Sequence, residues 1–314
     1  MKKNTLIVRT VLACALLLAS CNTQKRDQVS TLALADPFIL QHDNRYFAYG
    51  TSSDDGFEVY QSDNLQSWTK HKQLLLKKED SYGNKWFWAP EVYYHPKTAK
   101  FHLFYSAEEH ICVAMADSPL GPFKQVDKKP MRAEKGIDSS LFIDEDGKAY
   151  LYFVRFTDGN EIWVAELEDD WQTVKEETLT KCIQAATQPW ENALGKVAEG
   201  ASVIKRKGTY YLLYSGNDFR SPEYAVGFAT ASAPTGPWVK STQNPILHRP
   251  EKTLVGTGHG AYFTDKKGKL KYVFHAHKDS SKVNPRLLYI VDMAIENKEV
   301  TMDKSSIIRP QVVE

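Results

Sequence analysis

Four carboxylates and one imidazole each stand at the entry to an apolar, strand-like segment: Asp36, Glu91, Asp138, Glu199 and His259. They follow one another at intervals of 55, 47, 61 and 60 residues, the mark of one position in a repeated unit. Carboxylates gathered in a dry place are costly unless they are hydrogen-bonded, share protons or face a cation. Proteins keep such clusters mainly where chemistry needs them. Two carboxyls held apart across a pocket can run acid–base cleavage, one giving a proton to a leaving oxygen and the other activating water or attacking directly. With 7 Trp, 16 Tyr and 14 Phe, the chain also has many flat apolar faces, the kind a sugar ring stacks on.

Such residues meet only if the elements carrying them converge. Period-two patterns run along the chain and helical periodicity is absent. Residues 37–50, 92–106, 139–154, 202–216 and 260–275 each read as apolar strand, polar turn and aromatic strand. Asp144-Glu145-Asp146-Gly147 and Asp265-Lys266-Lys267-Gly268 are among the turns. A third strand, a Pro-Gly turn and an aromatic fourth strand follow, most clearly in Val113 to Phe123 and Gly227 to Trp238. Trp68, Phe123, Trp171 and Trp238 recur in the outer part of this unit and are read as packing. Five units of four antiparallel strands predict an all-β, five-bladed β-propeller. Its innermost strands line a central channel, so the five polar residues are expected to form a ring at one mouth.

The charge balance, 40 Lys and Arg against 39 Asp and Glu, argues against nucleic-acid or polybasic membrane binding. The first twenty residues read as a signal peptide, with Lys2, Lys3 and Arg9 before an apolar run from Val11 to Ala19. Leu18-Ala19-Ser20-Cys21 looks like a bacterial lipobox, which predicts lipidation of Cys21, a polar tether over 21–30 and a catalytic propeller over 31–314. The expected location is the cell envelope, with the lipid anchor as the sole membrane contact. Cys112 and Cys182 then remain, read as buried apolar residues or as one bridge.

Ala35-Asp36-Pro37, Trp88-Ala89-Pro90-Glu91, Gly136-Ile137-Asp138, Glu199-Gly200 and Gly258-His259-Gly260, in that order, resemble glycoside hydrolase family 43. The resemblance implies an inverting hydrolase in which Asp36 is the general base, Glu199 the general acid, and Asp138 the residue that raises the pKa of Glu199 and orients it. It also implies that Trp88 walls the sugar site and that Arg286 contacts substrate. His259 is implied to meet a calcium ion, or its waters, in the channel, and no organic cofactor is expected. Other readings stand beside these: Trp88 packed between blades, Arg286 in a surface salt bridge, His259 as a hydrogen-bonded core histidine. Glu91, where the family commonly has Asp, is read as a structural or supporting acid. Ser139 and Ala201 depart from the family, which often has Pro there. His275 and His277 alternate in a strand and are read as belonging to a plain edge strand.

The expected substrate is a plant-type oligo- or polysaccharide and the leading activity exo-acting α-L-arabinofuranosidase. β-Xylosidase is the alternative within the family, with endo-arabinanase or galactanase behind it. A non-catalytic glycan-binding lipoprotein is the alternative of another class, disfavoured because binding alone gives no reason to keep three acids.

Overall fold

The computed structural model describes residues 30–313. The predicted signal peptide and Cys21 lie outside the described residues. Five antiparallel sheets stand around one axis as the blades of a propeller. Their innermost strands are Ala35–His42, Trp88–His95, Gly136–Ile143, Ala198–Arg206 and Gly258–Thr264, each paired with the next strand in sequence. The inner strands are buried because neighbouring blades cover both their faces, which is why they read as nearly continuous apolar runs. Aromatic pairs fill the gaps between blades, such as Phe38 with Tyr93 at 5.1 Å and Phe142 with Tyr210 at 5.8 Å.

The outer edges are less regular. In blade two the fourth strand is reduced to a bridge between Met115 and Lys124, and buried Phe123 fills the position. In blade three Trp171 lies in a small turn, and the fourth strand comes later, at Thr180–Ile183. All four recurrent outer aromatics are packed: Trp68, Phe123 and Trp171 are buried, and Trp238 packs against the core between blades three and four. The ring closes where Gln311–Val312 adds in parallel to Ser67–Trp68 of blade one, with Ser30–Thr31 beyond it. The Leu288 N–H of blade five donates to the Leu32 carbonyl, which ties the last blade to the same strands.

Every inner strand breaks its register near its start, between Ala35 and Phe38, Trp88 and Glu91, Ile137 and Ser140, Glu199 and Ser202, and Gly258 and Gly260. These are β-bulges, and the first bulged residue is left-handed each time: Asp36, Ala89, Asp138, Gly200 and His259, at φ from 40° to 60°. For the four that are not glycine this conformation costs roughly 1–2 kcal/mol each. The structural repeat thus contains Ala89 and Gly200 where the sequence suggested Glu91 and Glu199. Glu91 lies two residues beyond its bulge and Glu199 one residue before, a difference that a list of polar residues cannot register.

The bulges are latched from blade to blade. Their N–H groups donate to a side chain on the second strand of the preceding blade: Ala89 to Thr51 Oγ1 (3.0 Å), Asp138 to Ser106 Oγ (3.0 Å), His259 to Ser215 Oγ (2.7 Å) and Asp36 to His275 Nδ1 (3.1 Å). Blade three has Val154 at the corresponding pairing position and offers no such acceptor. The strained turns that aim Asp36, Asp138 and His259 are therefore held by bonds between blades, not within them.

Candidate active site

Asp36, Asp138, Glu199, His259, Arg286 and Trp88 line one cavity of about 270 Å³ at the mouth of the channel. The sequence-predicted residues that are described are thus brought together; Cys21 lies outside the described residues. Glu91 lines neither this cavity nor the hollow beside it. Its carboxyl accepts from the Tyr93 hydroxyl, and burial pushes its pKa up to about 8. It is a supporting acid between blades two and three, where the Leu141 N–H in turn donates to Tyr93.

Asp36 is surrounded by donors. Arg286 donates through Nη1 to Oδ1 (2.6 Å) and through Nη2 to Oδ2 (3.2 Å), while the Thr51 hydroxyl donates to Oδ2 (2.7 Å). Burial alone would raise this carboxyl. Arg286, then His259, His275 and Thr51, outweigh it and hold Asp36 far below the usual carboxylate range. Arg286 is itself largely buried, its guanidinium 4.5 Å over the Phe219 ring, so a surface salt bridge is not its role.

Glu199 has the opposite environment. Burial is the largest cause lifting its pKa to about 7, and the negative charge of Asp36 adds to it. Hydrogen bonds from Tyr224 to Oε1 (2.7 Å) and from Asn160 to Oε2 (3.3 Å) oppose the rise. Asp138 is also pushed well above its ordinary range, by burial first and then by Glu199 and Asp36. Asp138 and Glu199 therefore titrate as a pair that keeps a proton well above ordinary carboxyl pKa values. Arg286 and that proton offset most of the negative charge in the ring.

His259 Nδ1 lies 3.4 Å from Asp36 Oδ1 and 3.9 Å from Asp138 Oδ2. Burial lowers its pKa, with Asp36 opposing, so the imidazole is neutral at pH 7. Its ring packs on Gly200, where a Cβ would come within 3.0–3.1 Å of the imidazole and the backbone is left-handed at φ +60°. The Glu-Gly pair of the sequence is thus an acid followed by the one residue that admits His259.

The hydrogen-bond partners of the acids carry no signal of their own in the sequence: Thr51, Asn160, Tyr224 and His275. His275 differs from its edge-strand reading. It is fully buried on the second strand of blade five, supports Asp36 from below and stacks on Tyr224 at 5.7 Å. His277 lies just past that strand and bonds the Phe219 carbonyl (2.7 Å), so the two do not share a task. Trp88 stands between the cavity and a neighbouring hollow of about 350 Å³, with half-exposed Trp86 stacked on it at 5.8 Å. Cys112 and Cys182 are free thiols, not a bridge.

A five-bladed propeller with buried carboxyls of opposed acidity at its mouth defines the class of a carbohydrate-cleaving enzyme. The sequence profile described as Glycosyl hydrolases family 43 matches residues 26–299, and the chain belongs to that family, whose members hydrolyse O-glycosyl bonds. Among solved structures it is 49% identical to one titled endo-1,4-beta-xylanase from Bacteroides thetaiotaomicron, with a TM-score of 0.88 over 92% of this chain and 100% of that one. A thermostable family-43 glycoside hydrolase is 35% identical, with a TM-score of 0.79 over 86% and 93% of the two chains. A curated relative, the beta-D-galactofuranosidase of Aspergillus niger, is 26% identical across 90% of this chain and 82% of its own. Other relatives carry xylosidase, arabinosidase and arabinofuranohydrolase names.

Proposed function

We propose that the chain is an inverting, exo-acting α-L-arabinofuranosidase that trims side chains from plant polysaccharides. Asp36 is the general base, Glu199 the general acid and Asp138 the residue that orients the acid and shares its proton. One observation carries this reading: two carboxyls on the same cavity are driven apart in acidity, Asp36 downward by Arg286 and Glu199 up to about 7. At pH 5–6 the first is an anion ready to take a proton from water and the second holds one to give. Glu199 protonates the linking oxygen as the bond to the anomeric carbon breaks and its electron pair leaves with that oxygen. Water adds from the opposite face, and its proton passes to Asp36.

The volume of about 270 Å³, walled by Trp88, suits a terminal sugar better than a long stretch of chain. A furanoside is favoured by the galactofuranosidase relative, because α-L-arabinofuranose and β-D-galactofuranose present the same ring hydroxyl arrangement. Action on xylan, as a β-xylosidase or within the chain, is the second reading, favoured by the structure of 49% identity. Asp138, Glu199 and His259 can bring one ligand atom each within 4.8 Å of one another. Calcium takes six to eight ligands, mostly oxygens, and two of these three groups are needed for hydrolysis, so the set fits only a largely water-shelled ion beside His259. Such an ion would add positive charge to the channel. Lipidation at Cys21 would place the enzyme at the cell envelope.

Nitrophenyl α-L-arabinofuranoside, β-D-xyloside and β-D-galactofuranoside, assayed beside arabinan and xylan, decide the substrate. Fastest release from the arabinofuranoside and from branched arabinan is expected. Turnover confined to xylan would reject the furanosidase reading. Glu199→Gln should lose about 10²- to 10⁴-fold on natural linkages and far less on nitrophenyl glycosides, whose leaving group needs no proton. Equal loss on both would remove Glu199 from the acid role.

A further inference from the structure

We propose that Tyr224 is a positioning residue that assigns the acid proton to one oxygen of Glu199: its phenol donates to Oε1 throughout the reaction, so Oε2 carries and delivers the proton. The inference rests on Glu199 being the general acid. Tyr224 is fully buried, and among the described residues its hydroxyl has one partner, Glu199 Oε1 at 2.7 Å. A buried O–H must donate, so Oε1 is kept as an acceptor whether or not the carboxyl is ionised. Oε2 receives only the longer bond from the Asn160 amide (3.3 Å) on the cavity wall, so it is the less tightly held oxygen and keeps a lone pair free to carry the proton.

The phenol cannot turn away. Its ring stacks on His275 at an interplanar angle of 13° and fills the space a Cβ at Gly258 would occupy, 2.3 Å from Tyr224 Cε1. The other charged or titratable groups around Glu199 are Asp138, Asp36 and His259 on three inner strands, and Arg286 from the loop of blade five. None of these has a hydrogen bond to Oε1. In the step itself the Oε2–H bond breaks, a hydrogen bonds to the departing oxygen, and the negative charge left on the carboxylate is met by the Tyr224 donor. A hydrogen bond to a charged group contributes about 1.5–3 kcal/mol, a factor of roughly 10 to 100 in rate.

Tyr224→Phe keeps the ring, its stacking and its fit against Gly258. On methyl α-L-arabinofuranoside and xylobiose its kcat should fall about 10- to 100-fold with KM nearly unchanged, while the corresponding nitrophenyl glycosides lose little. Equal loss on both classes, or a change confined to KM, would overturn the inference. Glu199→Gln gives a second measurement that needs no turnover. Its carbonyl oxygen should face Tyr224 and its amide nitrogen take the place of Oε2, with the Asn160 amide turned so that its oxygen accepts, seen as nuclear Overhauser contacts from the Gln amide protons to Asn160. Contacts to the Tyr224 ring instead would contradict the assignment. If Glu199→Gln kept wild-type turnover of the methyl glycoside, the acid role itself would fail, a result distinct from either of these.

Discussion

Asp36 and Glu199 start from ordinary values of 3.8 and 4.5 and are driven apart, Glu199 upward chiefly by burial and Asp36 downward by Arg286 and the two histidines against its own burial. Arg286 is the strongest downward influence on Asp36, so Arg286→Gln should move the acid limb of kcat/KM upward by at least about one pH unit as the base becomes easier to protonate. An unmoved limb would mean that Asp36 does not set it. For stability the two acids act in opposite senses. The low pKa of Asp36 stabilises the fold above about pH 3.8, and this contribution is lost as the pH falls further. Glu199, raised to about 7, costs stability as the pH climbs from 4.5 to 7, and the cost persists above. Glu199→Gln is therefore expected to be more stable than the wild type at pH 8, on the order of 1–3 kcal/mol, and nearly equal at pH 4. Urea unfolding at the two pH values checks this. A variant less stable at pH 8 would show that the buried charge is not what strains the site.

The inner strands explain what the sequence made readable and what it hid. The hairpins were legible because a polar turn between an apolar and an aromatic strand is a local signal, as at Asp144 to Gly147. The convergence of Asp36, Asp138, Glu199 and His259 followed from the repeat. The bulge was not legible, since it depends on how two strands pair, so Glu91 was placed in the ring where Ala89 stands. Tyr224 and His275 were hidden for the same reason: their partners lie 25 and 239 residues away. Ser139, the second residue of the blade-three bulge, has a buried hydroxyl with no partner among the described residues, where blades one and two have Pro37 and Pro90. Ser139→Ala should raise stability by about 1 kcal/mol, read as a higher Tm. Gly200→Ala should do the reverse, losing at least about 1 kcal/mol together with most activity, because the new methyl meets His259 beside the acid. Unchanged activity in that variant would mean that the packing of His259 on Gly200 does not position the site.

At the scale of the molecule, the site exists because five blades close a ring, and closure depends on a few terminal hydrogen bonds. The Leu32 N–H donates to the Pro310 carbonyl, and the Gln311 and Val313 N–H groups donate to Gln66 and Trp68. Truncation after Ile308 also removes the Arg309–Glu251 ion pair and the pairing of Gln311–Val312 with Ser30–Thr31, and should cost at least about 3 kcal/mol at roughly 1 kcal/mol per bond, lowering Tm by several degrees. Activity should fall with it, since Asp36 in blade one takes its arginine and histidine from blade five. The proposed mechanism sets proton donation on one side of the sugar and water on the other. Proton NMR of the first sugar released from a nitrophenyl glycoside, recorded before mutarotation, tests that most directly. The anomer of inverted configuration is expected, and a product of retained configuration would contradict the roles given to Asp36 and Glu199.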